Sequence, residues 1–225
     1  MKVDFCDFNG ADKLFGDEFA AEWSDLHSVL KRLVLQLKPS DQRGKKGSPI
    51  FDPVASNAAV KAALERKGWP ANIPIPGDLA FLGTDVDFFR RGVLVEAQFS
   101  NYPFFLNNVV RSALLAKSNT ELEGAPVRAV AIVTKGHMFP ASNSTLYYEQ
   151  AVNQLTEFAK YGVFDVPIRV VGLLVDVGKA VPADWRTYPD RYSRAPKSKE
   201  RIKCRLVAGK RANSICKVEL LRTSA

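Results

Sequence analysis

Cysteine and histidine are scarce: three cysteines, Cys6, Cys204 and Cys216, and two histidines, His27 and His137, in 225 residues. The cysteines are odd in number, widely spaced and without a CxxC pair, which argues against a disulfide framework and against a structural zinc site. Two histidines do not build a histidine-rich centre, so the protein ligands of any metal should be oxygens, a preference of Mg²⁺ over zinc. No apolar run approaches the ~20 residues of a membrane span. The N-terminal stretch MKVDFCDFNGADK meets acidic residues at once and carries no apolar signal core, so a cytoplasmic location is expected. Repeats and low-complexity segments are absent as well. Acidic residues fall short of basic ones, 24 against 32, leaving a net charge of +8. That excess is consistent with a polyanionic partner without requiring one. It is steepest near the C-terminus, where Arg191–Arg222 holds eleven Lys or Arg against two Glu. Such a run suits either a phosphate-facing surface or a solvated face.

What is present suits one compact domain with an ordinary apolar fraction of 46%. Trp23, Leu26, Leu30, Leu33 and Leu37 recur at helical spacing and predict a helix over Glu18–Leu37, with Asp17 as its N-cap. KPSDQRGKKG (Lys38–Gly47) reads as a loop. A second helix is expected over Ser56–Lys67, capped by Ser56 or Asn57 and stopped by Gly68. Two strands, Asp85–Phe89 and Val93–Phe99, are joined by a tight turn at Arg90–Gly92. A helix over Asn107–Lys117 and a buried strand at Val127–Thr134 come next. A further helix, capped near Ser142 or Ser144 and ended by Gly162, precedes a buried strand at Ile168–Val175. In the basic tail a single strand is expected, near Lys203–Val207. The order implies an α/β fold, a central mixed β-sheet flanked by helices on both faces. Residues 1–180 are expected to form its catalytic core, and 181–225 a basic, β-rich, DNA-contacting segment or subdomain of the same domain.

Within Leu94-Val95-Glu96-Ala97-Gln98-Phe99, strand alternation sends Glu96 and Gln98 to one side, and Val95, Ala97 and Phe99 into the core. The hairpin places Asp87 across from the first pair. Two carboxylates and an amide then converge inside a basic protein. Carboxylates hold divalent cations, hard cations accept a backbone oxygen such as that of Ala97, and such a set serves phosphodiester hydrolysis. The spacing Asp-x8-Glu-x-Gln is close to the nuclease pattern Asp-x(n)-(Asp/Glu)-x-Lys, with Gln98 in the lysine position. Alone it is a weak signal, since a strand with outward Glu and Gln is usually a solvated face.

The surrounding text is more specific. NIPIP, FLGTD, LVEAQFSNYPF, VTKGHMFPASNSTLYYEQA and VFDVPIRVVGL, with SDQ and IFDPV, resemble in matching order the BglII and BstYI group of type II restriction endonucleases, whose broader architecture BamHI shares. The resemblance runs to about Val175, resumes at DRYSR (Asp190–Arg194), and is lost in the final thirty or so residues. It implies a restriction-endonuclease-like fold and a bacterial, cytoplasmic homodimer. Such an enzyme cuts double-stranded DNA with Mg²⁺ and is accompanied by a companion methyltransferase that is not a stable subunit.

By the same resemblance Asp87 binds the metal with help from the Ala97 carbonyl, Glu96 holds metal-coordinated water and Gln98 orients the attacking water. Asn72 falls near the scissile phosphate, although a turn-forming Asn explains it equally well. Contacts at or near bases fall to Ser100, Asn101, Asn143, Ser144, Asp190, Tyr192 and Arg194. Asn suits an adenine edge, while helix capping alone accounts for Asn143 and Ser144. The stretch Ser100–Ser112, including Arg111, is a candidate dimer contact. The family reads GATC-centred palindromes, so AGATCT is the first expectation and RGATCY the second. Cleavage would leave 5′-phosphate and 3′-hydroxyl ends with 5′ overhangs. A non-cutting DNA-binding protein on this fold and a structure-selective repair nuclease are the competing readings. His137 reads as a packed loop residue.

Overall fold

The computed structural model describes residues 1–142, 145–209 and 215–221. The chain runs β1 (Lys2–Phe8), α1 (Ala11–Gly16), α2 (Ala20–Arg32), β2 (Leu35–Pro39), β3 (Pro49–Phe51), α3 (Pro53–Glu65) and β4 (Ala71–Pro74). A 3₁₀ turn (Gly77–Leu82) leads into β5 (Asp85–Arg90), β6 (Val93–Ala97), α4 (Pro103–Lys117), β7 (Glu121–Leu122) and β8 (Ala125–Pro126). The remainder is β9 (Ala129–Lys135), α5 (Tyr148–Lys160), β10 (Ile168–Leu174), β11 (Ala180–Thr187), β12 (Ser198–Val207) and β13 (Lys217–Leu221).

Six strands form a mixed sheet in the order β1-β10-β9-β6-β5-β4. Pairing is parallel between β10 and β9 and between β9 and β6, and antiparallel elsewhere. The middle strands are buried at every position of β6 and β9, which is why they read as valine-rich runs instead of alternating. Each face covers a separate apolar cluster. On one side Val93, Val95, Ala131 and Val133 meet Leu26 and Leu30 of α2, Val60 and Leu64 of α3, and the second sheet. On the other, Leu94, Val130 and Ile132 meet Phe105 and Val109 of α4 and Ala151 and Leu155 of α5.

The second sheet runs β13-β12-β11-β2-β3. The basic tail therefore contains three strands where the sequence suggested one, and it is joined through the parallel β11–β2 pair to the N-terminal half. That pairing also corrects the first helix, which stops at Arg32. Leu33 turns extended, with ψ 138°, and Leu35 and Leu37 become buried strand positions. Leu33 and Leu37 satisfy helical spacing, and Leu33, Leu35 and Leu37 satisfy alternation equally well. The sheet partner decides between them. The cap of α2 is Phe19, not Asp17.

Other boundaries move for local reasons. α3 starts at Pro53 because the Asp52 carboxylate accepts the Ala55 N–H at 3.1 Å and proline suits the first helical turn, so neither Ser56 nor Asn57 is the cap. α4 likewise starts at a proline, Pro103, four residues before Asn107. α5 begins only at Tyr148 and has no side-chain cap. Ser142 is therefore not its cap, and Ser144 lies outside the described residues. The β5–β6 hairpin forms as expected, with Arg90 paired to Val93 around Arg91 (φ +49°) and Gly92 (φ +93°). Two consecutive positive φ angles match the twist of a two-residue hairpin. A Cβ at Gly92 would also sit 3.3 Å from the Pro126 carbonyl.

Candidate active site

The antiparallel register pairs Phe88 with Val95, so Asp87 and Glu96 are neighbours across the hairpin. Both face the α4 side of the sheet. Asp87 Oδ2 accepts the Ala97 N–H at 2.7 Å, tying the first carboxylate to the second strand. Glu96 is buried, 3% exposed, which removes the solvated-face explanation for this strand.

Its counter-charge arrives from α4. Arg111 donates through Nη2 to Glu96 Oε1 at 2.5 Å and through Nη1 to the Asp85 carbonyl at 3.2 Å. Gly83 makes room for it, since a Cβ there would lie 3.1 Å from Arg111 Nη1. One guanidinium thus faces two carboxylates. Burial raises the Asp87 carboxyl, opposed by the Ala97 N–H and by Arg111. Burial and then the Asp87 charge push the Glu96 carboxyl up to about 8, against the pull of Arg111. With both acids ionised the group carries one uncompensated negative charge in a water-poor place. A proton or a further cation must supply the balance.

Two neighbouring carboxylates are hard-oxygen donors, and their charge deficit fits a divalent cation such as Mg²⁺. Asp87, Glu96 and the Ala97 carbonyl are the groups that could hold one. Among the described residues no cluster of three or more His, Cys, Asp or Glu has metal-binding geometry, so a purely side-chain cage is not formed.

Gln98 follows β6 by one residue. Its N–H donates to the Val133 carbonyl at 2.8 Å, and its side-chain Nε2 to the Asn101 carbonyl at 3.1 Å. Asn72 has φ +53° and lies on β4 between the pairs Ala71–Phe88 and Ile73–Val86, which sets it in register with Asp87. Asn tolerates that left-handed conformation better than most residues, so the turn-forming explanation retains its force.

Ser100 and Asn101 are exposed directly beyond the site. The Ser100 carbonyl accepts the Leu146 N–H at 2.7 Å, and Asn101 forms an antiparallel bridge with Thr145. Asn143 and Ser144 lie outside the described residues. Asp190, Tyr192 and Arg194 are exposed on the connection between β11 and β12 of the second sheet. The Asp190 carboxylate accepts the Ser193 hydroxyl at 2.6 Å and the N–H groups of Tyr192 and Ser193 at 2.8 and 2.9 Å. These bonds hold its carboxyl below the usual range, the Ser193 hydroxyl contributing most, and they fold the loop over itself.

Two residues were not assigned to the site from sequence. Arg111 had been placed only in a candidate dimer contact. A lone cation inside the apolar helical stretch NNVVRSALL was the available signal. Lys135 is a cation closing a valine-rich strand, and it is completely buried.

Comparison with known proteins agrees with this arrangement. Residues 3–173 match the family described as "Restriction endonuclease BglII/BglIII". The type II restriction enzyme BglII of Bacillus subtilis is 49% identical over 208 residues, covering 92% of each chain. A crystal structure of BglII complexed with a DNA 16-mer superposes with a TM-score of 0.93 at 46% identity, covering 98% of this chain and all of that one. Free BglII, with the same coverage, gives 0.76 at 41% identity. Fold and sequence together define a type II restriction enzyme, a site-specific deoxyribonuclease. The chain belongs to the BglII/BglIII family of restriction endonucleases. No described helix is long and apolar enough to cross a membrane.

Proposed function

We propose that this chain is a homodimeric, Mg²⁺-dependent endonuclease that cuts double-stranded DNA at a palindromic GATC-centred site, AGATCT first and RGATCY second. The observation that carries the chemistry is the pairing of half-buried Asp87 with buried Glu96, with a single guanidinium for two carboxylates. The duplex substrate is supported by the net charge of +8 and by the relative crystallised with a DNA 16-mer.

Asp87, Glu96 and the Ala97 carbonyl would hold the cation. When bound, Mg²⁺ supplies Lewis acidity to the scissile phosphate and lowers the pKa of water. Arg111 fixes the Glu96 carboxylate and takes up half of the pair's charge. Gln98 cannot act as a general base near neutral pH, being a neutral amide. With Nε2 held by the Asn101 carbonyl, its side-chain oxygen is left to accept a hydrogen bond from the attacking water and orient it. Asn72, in register with Asp87, contacts the phosphate beside the cut. Ser100, Asn101, Asn143 and Ser144, with Asp190, Tyr192 and Arg194, read the bases. Residues 1–180 are the catalytic core, and 181–225 a basic segment of the same domain that grips DNA. A two-fold dimer presents two such sites to opposite strands, giving 5′ overhangs with 5′-phosphate and 3′-hydroxyl ends. A separate methyltransferase of matching specificity protects the bacterial host, in whose cytoplasm the enzyme works.

The test is digestion of a sequenced plasmid with Mg²⁺, beside an EDTA control and Asp87→Ala, followed by sequencing of the ends. Discrete Mg²⁺-dependent ends at GATC-centred sites, absent with the variant, are expected. Scattered ends would refute site specificity, and tight binding with an intact plasmid would refute cleavage.

A further inference from the structure

Lys135 ends the central strand β9 with a fully buried side chain. Its ammonium donates to three oxygens: the Phe99 carbonyl at 2.7 Å, the Leu146 carbonyl at 2.9 Å and Thr145 Oγ1 at 2.5 Å. It lies over the rings of Phe51 and Tyr147, with centroids at 5.4 and 5.0 Å. Burial pushes its pKa down to about 7, so keeping a cation here costs stability. A buried ionic group can often be replaced by an apolar one without loss of stability, and a role in fixing one arrangement is the best-supported reason to retain it.

The arrangement it fixes joins two chain segments. One is Phe99-Ser100-Asn101, which leaves the catalytic strand. The other is Thr145-Leu146, which directly follows Asn143 and Ser144 in the chain. The Leu146 N–H to the Ser100 carbonyl and the Asn101–Thr145 bridge connect the same two segments. Without the ammonium, the Phe99 and Leu146 carbonyls would lose a charged donor in a buried place.

We propose that Lys135 is a specificity-positioning residue that clamps Phe99–Asn101 to Thr145–Leu146, the stretches that anchor the two base-reading segments. This rests on the reading that Ser100, Asn101, Asn143 and Ser144 contact bases. The clamp holds both segments in register with each other and with Gln98, so a wrong base cannot be accommodated by moving one segment alone. Base discrimination is then shared between them. Lys135 itself touches neither DNA nor the reacting atoms.

The experiment measures kcat/KM on the preferred site and on a panel of sites each altered at one base pair. It compares wild type with Lys135→Met, Lys135→Arg and the milder Thr145→Val, with circular dichroism to establish folding. Lys135→Met is expected to lower the ratio of preferred to altered sites by about tenfold or more, the scale of one good base contact. kcat on the preferred site should fall less than that ratio. Thr145→Val, which loses the bond from Lys135 and the 3.3 Å bond to the Phe99 carbonyl, should lower the ratio by about threefold or more, and Lys135→Arg should recover part of the loss. A uniform decrease on all sites, the signature of a merely structural role, would overturn the inference while leaving site-specific cleavage intact. If Lys135→Met does not fold, an unchanged ratio in Thr145→Val overturns it. A wild-type enzyme without site preference overturns the underlying reading, and the inference with it.

Discussion

Arg111 on α4 reaches Glu96 on β6 at 2.5 Å, a short charge-assisted bond between a guanidinium 12% exposed and a carboxylate 3% exposed. The pair links the helix that follows the candidate base-reading turn to the strand that carries two of the three candidate metal ligands, Glu96 and Ala97.

Removing the guanidinium should therefore be costly. Arg111→Met would leave the buried Glu96 and the half-buried Asp87 with no fixed counter-charge, and breaking a buried pair from one side typically costs about 3–5 kcal/mol. Urea unfolding in EDTA should show a loss of this size for the variant. Mg²⁺ should restore more stability to it than to wild type. Equal Mg²⁺ effects on both proteins would contradict the charge balance described here.

The pH dependence follows from Glu96. Its folded-state pKa of about 8 lies above the ordinary 4.5, so between these values the folded protein holds a proton that the unfolded chain has lost. The contribution to stability is full below about 4.5 and is lost as pH rises through about 8. Glu96→Gln mimics the protonated form and lacks this dependence. In EDTA, the melting temperature of wild type relative to the variant should fall steadily from pH 5 to pH 9, and Mg²⁺ should flatten the trend. A rise over that range would show that Glu96 is held ionised throughout.

Gln98 occupies the position where the common nuclease pattern has lysine. Gln98→Lys should not improve the enzyme, because a cation next to Asp87 and Glu96 competes with the metal. Titration of cleavage against Mg²⁺ should show a higher midpoint and a lower maximum rate, by about a hundredfold on the scale of a misplaced group. Faster cleavage at an unchanged midpoint would remove the water-orienting role of the neutral amide.

Salt should weaken DNA binding steeply, because Lys and Arg contacts to phosphates release condensed counterions. Binding to a cognate duplex in Ca²⁺, measured by fluorescence anisotropy, should give a linear fall of log K with log salt. Arg194→Ala separates two roles for this exposed residue. A base-reading Arg194 costs about 1–3 kcal/mol on the preferred sequence only, whereas a phosphate contact lowers the slope by about one on every sequence.

Much of this was legible along the chain. The hairpin expected at Asp85–Phe89 and Val93–Phe99, which the structure forms as Asp85–Arg90 and Val93–Ala97, was readable because turn chemistry and alternation are local, and with it the approach of Asp87 to Glu96. The buried strands at Ala129–Lys135 and Ile168–Leu174 were readable from uninterrupted β-branched runs. Motif text pointed to the family before any fold was known.

Only the tertiary structure decided the rest. Whether Leu33–Leu37 continues a helix or joins a sheet depended on Ala183–Trp185, nearly 150 residues away, which pair with Leu35–Leu37. Strand pairing likewise turned the basic tail into part of a five-stranded sheet. Arg111 and Lys135 became interpretable only when packing set one against Glu96 and the other beneath Phe99 and Leu146. The physical reason is common to all of these. Local preference depends on near neighbours, but the charge state, burial and partner of a side chain are set by whatever the folded chain brings beside it.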